Sequence, residues 1–343
     1  MKPVAILASG MVTGVGFTAA SSCAAIRCAI DHFSETSFAD RGGEWIVGSK
    51  VPLDEPWRGI PKLAHLVAPA IEECLNHAKG IAPGQIPLLL CVAEKERPGR
   101  IEGLDDRLFA EISDKLAVAF HPSSAVIAGG RIAGAKAIEQ ASKLIHGQNV
   151  TYCIVAGVDS LLVAGTLAAY EDRNRLLTSQ NSNGFIPGEA GAAVLIGRPG
   201  GAHGSELHCL GMGSGFEAAT VDSSEPLRGE GLLEAIRAAF ADSGCVVSDF
   251  DYRITDCNGE QYGFKEAALA LDRILRNRRD LFEIWHPADC VGEIGAAIGP
   301  CVLGVALQAA RKGYAFGRGP LCHFSAENSE RVALVLRSGA NGN

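Results

Sequence analysis

Apolar residues along the chain fall into short continuous runs, separated by segments with helical spacing. Val4 to Ala8 has the length of a buried strand and ends at Ser9-Gly10. Ala19 to Ile30 follows with the pattern of a helix packed through small residues. Pro87 to Ala93 reads as a second strand. Residues 94–107 are rich in charge and carry Pro98, Gly99 and Gly103, which predicts an exposed loop. Ala137, Ile138, Ala141, Leu144 and Ile145 then recur at helical spacing, with Gly147 where a C-terminal cap belongs. Val150 to Ala156 is a continuous apolar run suited to a strand covered on both faces. A further strand is predicted at Ala190 to Ile196.

The cluster Pro199-Gly200-Gly201 marks the expected boundary between two halves, residues 1–199 and 200–343. The second half repeats the grammar of the first. Gly231 to Ser243 is an amphipathic helix, Tyr252 to Thr255 a short strand, and Phe264 to Arg276 a helix. Pro300 opens another helix, with Arg311 and Lys312 in its last turn and Gly313 closing it. Val332 to Leu336 is a terminal strand. Alternating strands and helices predict an α/β fold with a largely parallel sheet. Two comparable halves suggest an internal duplication.

Composition narrows the class. The 343 residues suit two domains or one large two-part domain. An apolar share of 47% excludes a disordered chain. Thirty-one Lys and Arg against 39 Asp and Glu give 31 − 39 = −8. That balance argues against a nucleic-acid binder and supplies no polybasic patch for a membrane surface. The 11 Cys are odd in number, irregular in spacing and without a CxxC pair, so no metal site is expected. Several sit in apolar runs, such as Leu90-Cys91-Val92 and Tyr152-Cys153-Ile154, where a thiol acts as a small hydrophobe. A reducing cytoplasm fits this usage. Met1-Lys2-Pro3 opens a poor signal peptide, and no apolar run reaches the ~20 residues that membrane insertion requires.

Glycine-rich turns come next. Gly10-Met-Val-Thr-Gly14-Val-Gly16 is not a P-loop and lacks the G-x-G-x-x-G order, so it reads as a tight strand-to-helix turn and no nucleotide cofactor is expected. Asn183-Gly184-Phe185-Ile186-Pro187-Gly188-Glu189-Ala190-Gly191 is more specific. It resembles the GF-x-x-GE-x-x-G segment of β-ketoacyl synthases, of the thiolase-like superfamily. The opening turn at Gly10 to Gly16, the stretch Ala137 to Asp159, and Gly292-Glu293-Ile294-Gly295-Ala296-Ala297 are similar to three further segments of that family, in the same order. The resemblance implies a thiolase-like α/β fold: two similar α/β halves forming a layered α-β-α-β-α core, usually as a dimer. Val150 to Ala156 is expected near the dimer interface.

The resembled family uses a Cys nucleophile at a helix N-terminus, two His residues and a supporting Lys. Each of these positions differs here. The nucleophile falls on Gly130 or Arg131, and neither forms a thioester. Asn258 and Glu293 stand at the two His positions, and the Lys position falls near Ala288. His323 to Asn328 replaces the glycine-rich closing turn. No Cys occurs between Cys91 and Cys153, so no shift of alignment restores the nucleophile. A Glu where an enolate would form opposes the electrostatics of condensation. Glu293 has two readings, a pKa-shifted acid in a cavity or the structural partner of Arg131, and the ion pair is the more natural.

The expected role is therefore a non-catalytic one: partner subunit, adaptor or chaperone for another protein. The rival is an acyltransferase or acyl-thioester hydrolase with a rearranged site, for which Cys257, Cys290, Cys322 and His323 are the candidates. Against it stands the reading of those thiols as small residues packed beneath the pocket. A non-catalytic acyl- or CoA-binding protein is a third possibility. The implied partners are a second copy, a ketosynthase-like or effector protein, or an acyl carrier protein docked on the basic run Arg273 to Asp280.

Overall fold

The computed structural model describes residues 1–148, 150–200, 206–275 and 282–339. The N-terminal part runs β1 (Val4–Val12), α1 (Ala19–Arg27), β2 (Ser34–Ala39), β3 (Trp45–Gly48), α2 (Gly59–His77), β4 (Leu88–Val92), α3 (Arg107–Leu116), β5 (Ala125–Ala128), α4 (Ala133–Gly147), β6 (Tyr152–Ser160), α5 (Ala164–Asp172) and β7 (Glu189–Gly197). The C-terminal part runs β8 (Leu207–Phe216), α6 (Glu230–Ser243), β9 (Tyr252–Thr255), α7 (Gln261–Asp272), β10 (Glu283–Trp285), α8 (Ala288–Val291), α9 (Ile298–Lys312), β11 (Pro320–Ser325) and β12 (Glu330–Ser338).

Ten strands form one sheet in the order β10-β9-β11-β12-β8-β1-β7-β6-β4-β5. Reading inward from each edge gives the same arrangement twice. β5-β4-β6-β7-β1 has parallel, parallel, antiparallel and antiparallel neighbours, and β10-β9-β11-β12-β8 repeats that series. The duplication inferred from the two halves is thus visible as topology. The two sets meet through β1 and β8, antiparallel over Val4 to Ile6. The sheet is mixed, not largely parallel as expected. A strand's apolar pattern records which faces are covered but not the direction of its neighbour. Returns such as β11–β12 need no crossover helix.

Alternation along the strands sorts side chains into layers. On β4, Leu89 and Cys91 face a central core, while Leu88, Leu90 and Val92 face an outer one under α2 and α3. On β12, Val332, Leu334 and Leu336 join the central core, while Ala333 and Val335 join a third under α6. Between the two strand sets lie α4 and α9, which accounts for the almost complete burial of α9. They touch backbone to backbone, since a Cβ on Gly134 would lie 2.8 Å from Gly299 Cα. This is the layered α-β-α-β-α core.

Several boundaries differ from expectation for local reasons. Gly147 lies inside α4, and the cap is Gln148, whose N–H donates to Leu144 O. Gly313, in contrast, closes α9 in the left-handed conformation as expected. The segment 94–107 is not uniformly exposed: Arg97 is buried, and its guanidinium meets Glu94 and Asp159. β6 has both edges paired, to β4 and β7. The exposed edge of the N-terminal set is β5, each residue of which is half-buried. Arg276, Arg278 and Arg279 lie outside the described residues. Among the described residues, no helix is long and apolar enough to cross a membrane.

Candidate functional site

The turn between β5 and α4, the loop after β9, the turn after α8 and the start of the β11–β12 return converge between the two halves. Gly130 occupies the first turn with φ of +54°, a conformation in which a side chain is strained. The space beside it is also taken. A Cβ on Gly130 would lie 2.2 Å from Glu94 Oε2, which Arg97 holds through hydrogen bonds of 2.6 and 2.8 Å. Backbone and neighbours thus both disfavour a side chain at 130.

Arg131 points the other way, into the space between the halves. Its Nη1 donates to Glu293 Oε2 at 3.1 Å, and its Nε lies 3.6 Å from Asp256 Oδ2. The expected ion pair is therefore present. Glu293 is over-determined: Asn258 Nδ2 donates to it at 2.7 Å and the Gly295 N–H at 2.8 Å. Asn258 and Glu293, the two residues expected at the His positions, are thus bonded to each other. Asp256 accepts the Ser325 N–H at 2.8 Å.

A second buried ion cluster lies alongside, and sequence reading missed it. Arg175 grips Glu260 with two bonds of 2.7 Å and also pairs with Glu327. A third joins Arg331 and Glu266 at 2.6 Å, both almost wholly buried, with Ser325 Oγ and Tyr262 completing the set. Their sequence neighbourhoods gave no signal. Arg175 follows a charged stretch, Glu171 to Arg173, that reads as a solvated helix end. Among these clusters the cavity left is about 20 Å³, which is room for about one water.

Burial sets the proton affinities here. It pushes Asp256 up to about 6, although Arg131 and the Ser325 N–H oppose the shift. Burial alone would raise Glu327, but Arg175 and Arg131 outweigh it and hold that carboxyl below its usual range. Burial, with Arg253 nearby, drives His323 down to about 3, and His323 Nε2 has no hydrogen-bond partner among the described residues. Burial raises Cys257 to about 12 and Cys322 well above the ordinary thiol value. These thiols stay protonated, and the imidazole is too weak a base to activate one.

The four candidates for rearranged chemistry do not all meet in one place. Cys257 and His323 line the small cavity. Cys322 is adjacent to His323 on β11, so strand alternation turns it to the opposite face, into the central core. Cys290 lines a separate cleft beside α1. All 11 thiols are free, and only Cys28 is exposed. No group of three or more metal-ligating side chains is present among the described residues.

The raised affinity of Asp256 has a testable sign. A carboxyl that binds its proton more tightly folded than unfolded adds stability below its ordinary value, about 4. That contribution is lost as pH rises through about 6. The unfolding free energy of the wild type minus that of Asp256→Asn should therefore fall between pH 4 and 7, measured from urea midpoints. A flat difference would mean Asp256 titrates normally.

No family model and no curated protein sequence matches this chain. Solved structures do. A ketosynthase in complex with its chain length factor from Xenorhabdus doucetiae matches with a TM-score of 0.72 at 14% identity, covering 98% of each chain. A type II PKS acyl-carrier protein in complex with its ketosynthase matches with a TM-score of 0.75 at 13% identity, covering 98% of this chain and 99% of that one. The fold is that of the ketosynthases. A ketosynthase from module 6 of the bacillaene synthase of Bacillus subtilis 168 matches with a TM-score of 0.75 at 12% identity, covering 99% of this chain and 72% of that one. The ketosynthase fold is thus kept from end to end, while the space between its halves is filled by charge.

Proposed function

We propose that this chain is a non-catalytic protein on the ketosynthase scaffold, serving as partner subunit, adaptor or chaperone for another protein. One observation carries the reading. The pocket between the halves is occupied by the Arg131–Glu293–Asp256 network, and the volume left is about 20 Å³. An acyl chain cannot enter a space of that size, and the Cys257 thiol that lines it is kept protonated by burial. Buried charge of this kind persists when paired and hydrogen-bonded: Glu293 accepts from Arg131, Asn258 and the Gly295 N–H, and Asp256 accepts the Ser325 N–H with Arg131 beside it. The test is incubation with acyl-CoA and acyl-carrier-protein donors, followed by intact-protein mass spectrometry. The expected result is no stoichiometric adduct; an acyl group on Cys257, Cys290 or Cys322 would overturn the proposal.

The assembly we assign is a dimer, either of two copies or with a ketosynthase-like or effector partner. The β5 edge supports it: the strand is half-buried, and its outer backbone groups have no strand neighbour among the described residues. Natural proteins rarely leave such an edge uncovered. Solved neighbours of this fold include a ketosynthase with its chain length factor and another with its acyl-carrier protein. Sedimentation at micromolar concentration should show a dimer, and Val126→Lys should yield monomer. A dimer unaffected by Val126→Lys would place the interface elsewhere.

A further inference from the structure

A cleft of about 300 Å³ opens beside the C-terminal end of α1, sharing no lining residue with the cavity between the halves. That volume is at the lower end of small-molecule sites. Its walls are apolar and partly aromatic, with Ile26, Trp285, Val305 and Tyr314 facing the space. The apolar surface continues outward through Phe316, 39% exposed and in ring contact with Trp285. Cys290 adds another apolar wall, because burial and Asp289 push its thiol up to about 11 and keep it neutral.

One charge at the rim lacks an opposite. The Arg27 guanidinium lies 4.2 Å from the Tyr314 ring centroid, which fixes its direction, and it has no carboxylate partner among the described residues. Asp289 on the same rim lies 2.9 Å from His286 Nδ1, an ion pair when that imidazole is protonated. An apolar hollow with a single oriented cation selects for charge and shape together. A cationic amphiphile would be repelled by Arg27. A phosphate would require more donors than one guanidinium supplies.

We propose that this cleft binds a monocarboxylate with an apolar body, the body against Trp285 and Tyr314 and the carboxylate on Arg27. The proposal does not depend on the charge-filled pocket and stands whether or not the chain is a pseudoenzyme. Octanoate, octanol and octylamine are the probes, titrated into the full-length protein and followed by calorimetry and tryptophan fluorescence. Octanoate should bind saturably and about tenfold more tightly than octanol, the effect of one charge-assisted contact, while octylamine should not bind. Arg27→Gln should reduce octanoate to the level of octanol and leave octanol unchanged. Arg27 is exposed, so this variant folds. Ile26→Trp, which fills the cleft, should abolish binding of both. Equal binding of octanoate and octylamine, octanoate binding that survives both variants, or no saturable octanoate binding would each overturn the proposal. In the last case Arg27 would serve only the C-terminal dipole of α1.

Discussion

Arg131→Met should cost about 3–5 kcal/mol of folding stability, the penalty for leaving buried charges without their counterion. Methionine keeps much of the side-chain volume, so the loss reads the charge and not a cavity. Glu293 and Asp256 would then face each other with no cation between them. At least one would have to take up a proton on folding, so the loss should shrink as pH falls towards 5. Chemical denaturation at two pH values checks both parts. The double variant Arg131→Met with Glu293→Leu should recover much of the loss, because removing both partners of a buried pair is far milder than removing one. A single-variant loss below about 1 kcal/mol would be that of a solvated pair and would undo the plug.

Gly130→Cys places a thiol at one of the two positions, Gly130 and Arg131, where the sequence resemblance puts a nucleophile, and it should gain nothing. The left-handed backbone alone costs roughly 1–2 kcal/mol for a residue with a side chain. The new Cβ would also press on Glu94, 2.2 Å away, and loosen its bonds to Arg97. Together a loss of about 2–4 kcal/mol is expected, combining backbone strain with disturbance of a buried pair. No adduct should form on the introduced thiol with acyl donors, since the space beyond it remains filled. Mass spectrometry and a urea melt check the two outcomes. Stable folding with acyl transfer would mean that only the nucleophile had been lost.

The architecture was legible because strand and helix patterns are local. Tyr252 to Thr255 and the α9 cap at Gly313 were read directly, since an apolar run and a glycine after two basic residues carry their own meaning. The pairing of Arg131 with Glu293 was legible for another reason: two substituted positions of opposite charge were expected to meet. Arg175, Glu260 and Glu327 carried no such sign. They are 85 and 152 residues apart in sequence, and nothing local marks a charge as destined for burial. The separation of Cys322 from His323 follows from strand alternation, which becomes decisive only when the strand and its two faces are known.

The duplicated strand sets are fastened by charge as well as by β1 and β8. Arg131 and Arg175 come from the N-terminal set, while Glu293, Asp256, Glu260 and Glu327 come from the C-terminal one. Melting either set would strand the ions of the other in a half-dry cleft. The two halves are therefore expected to unfold as one cooperative unit despite their repeated topology. A protein that docks on one half stabilises the other through the same bonds.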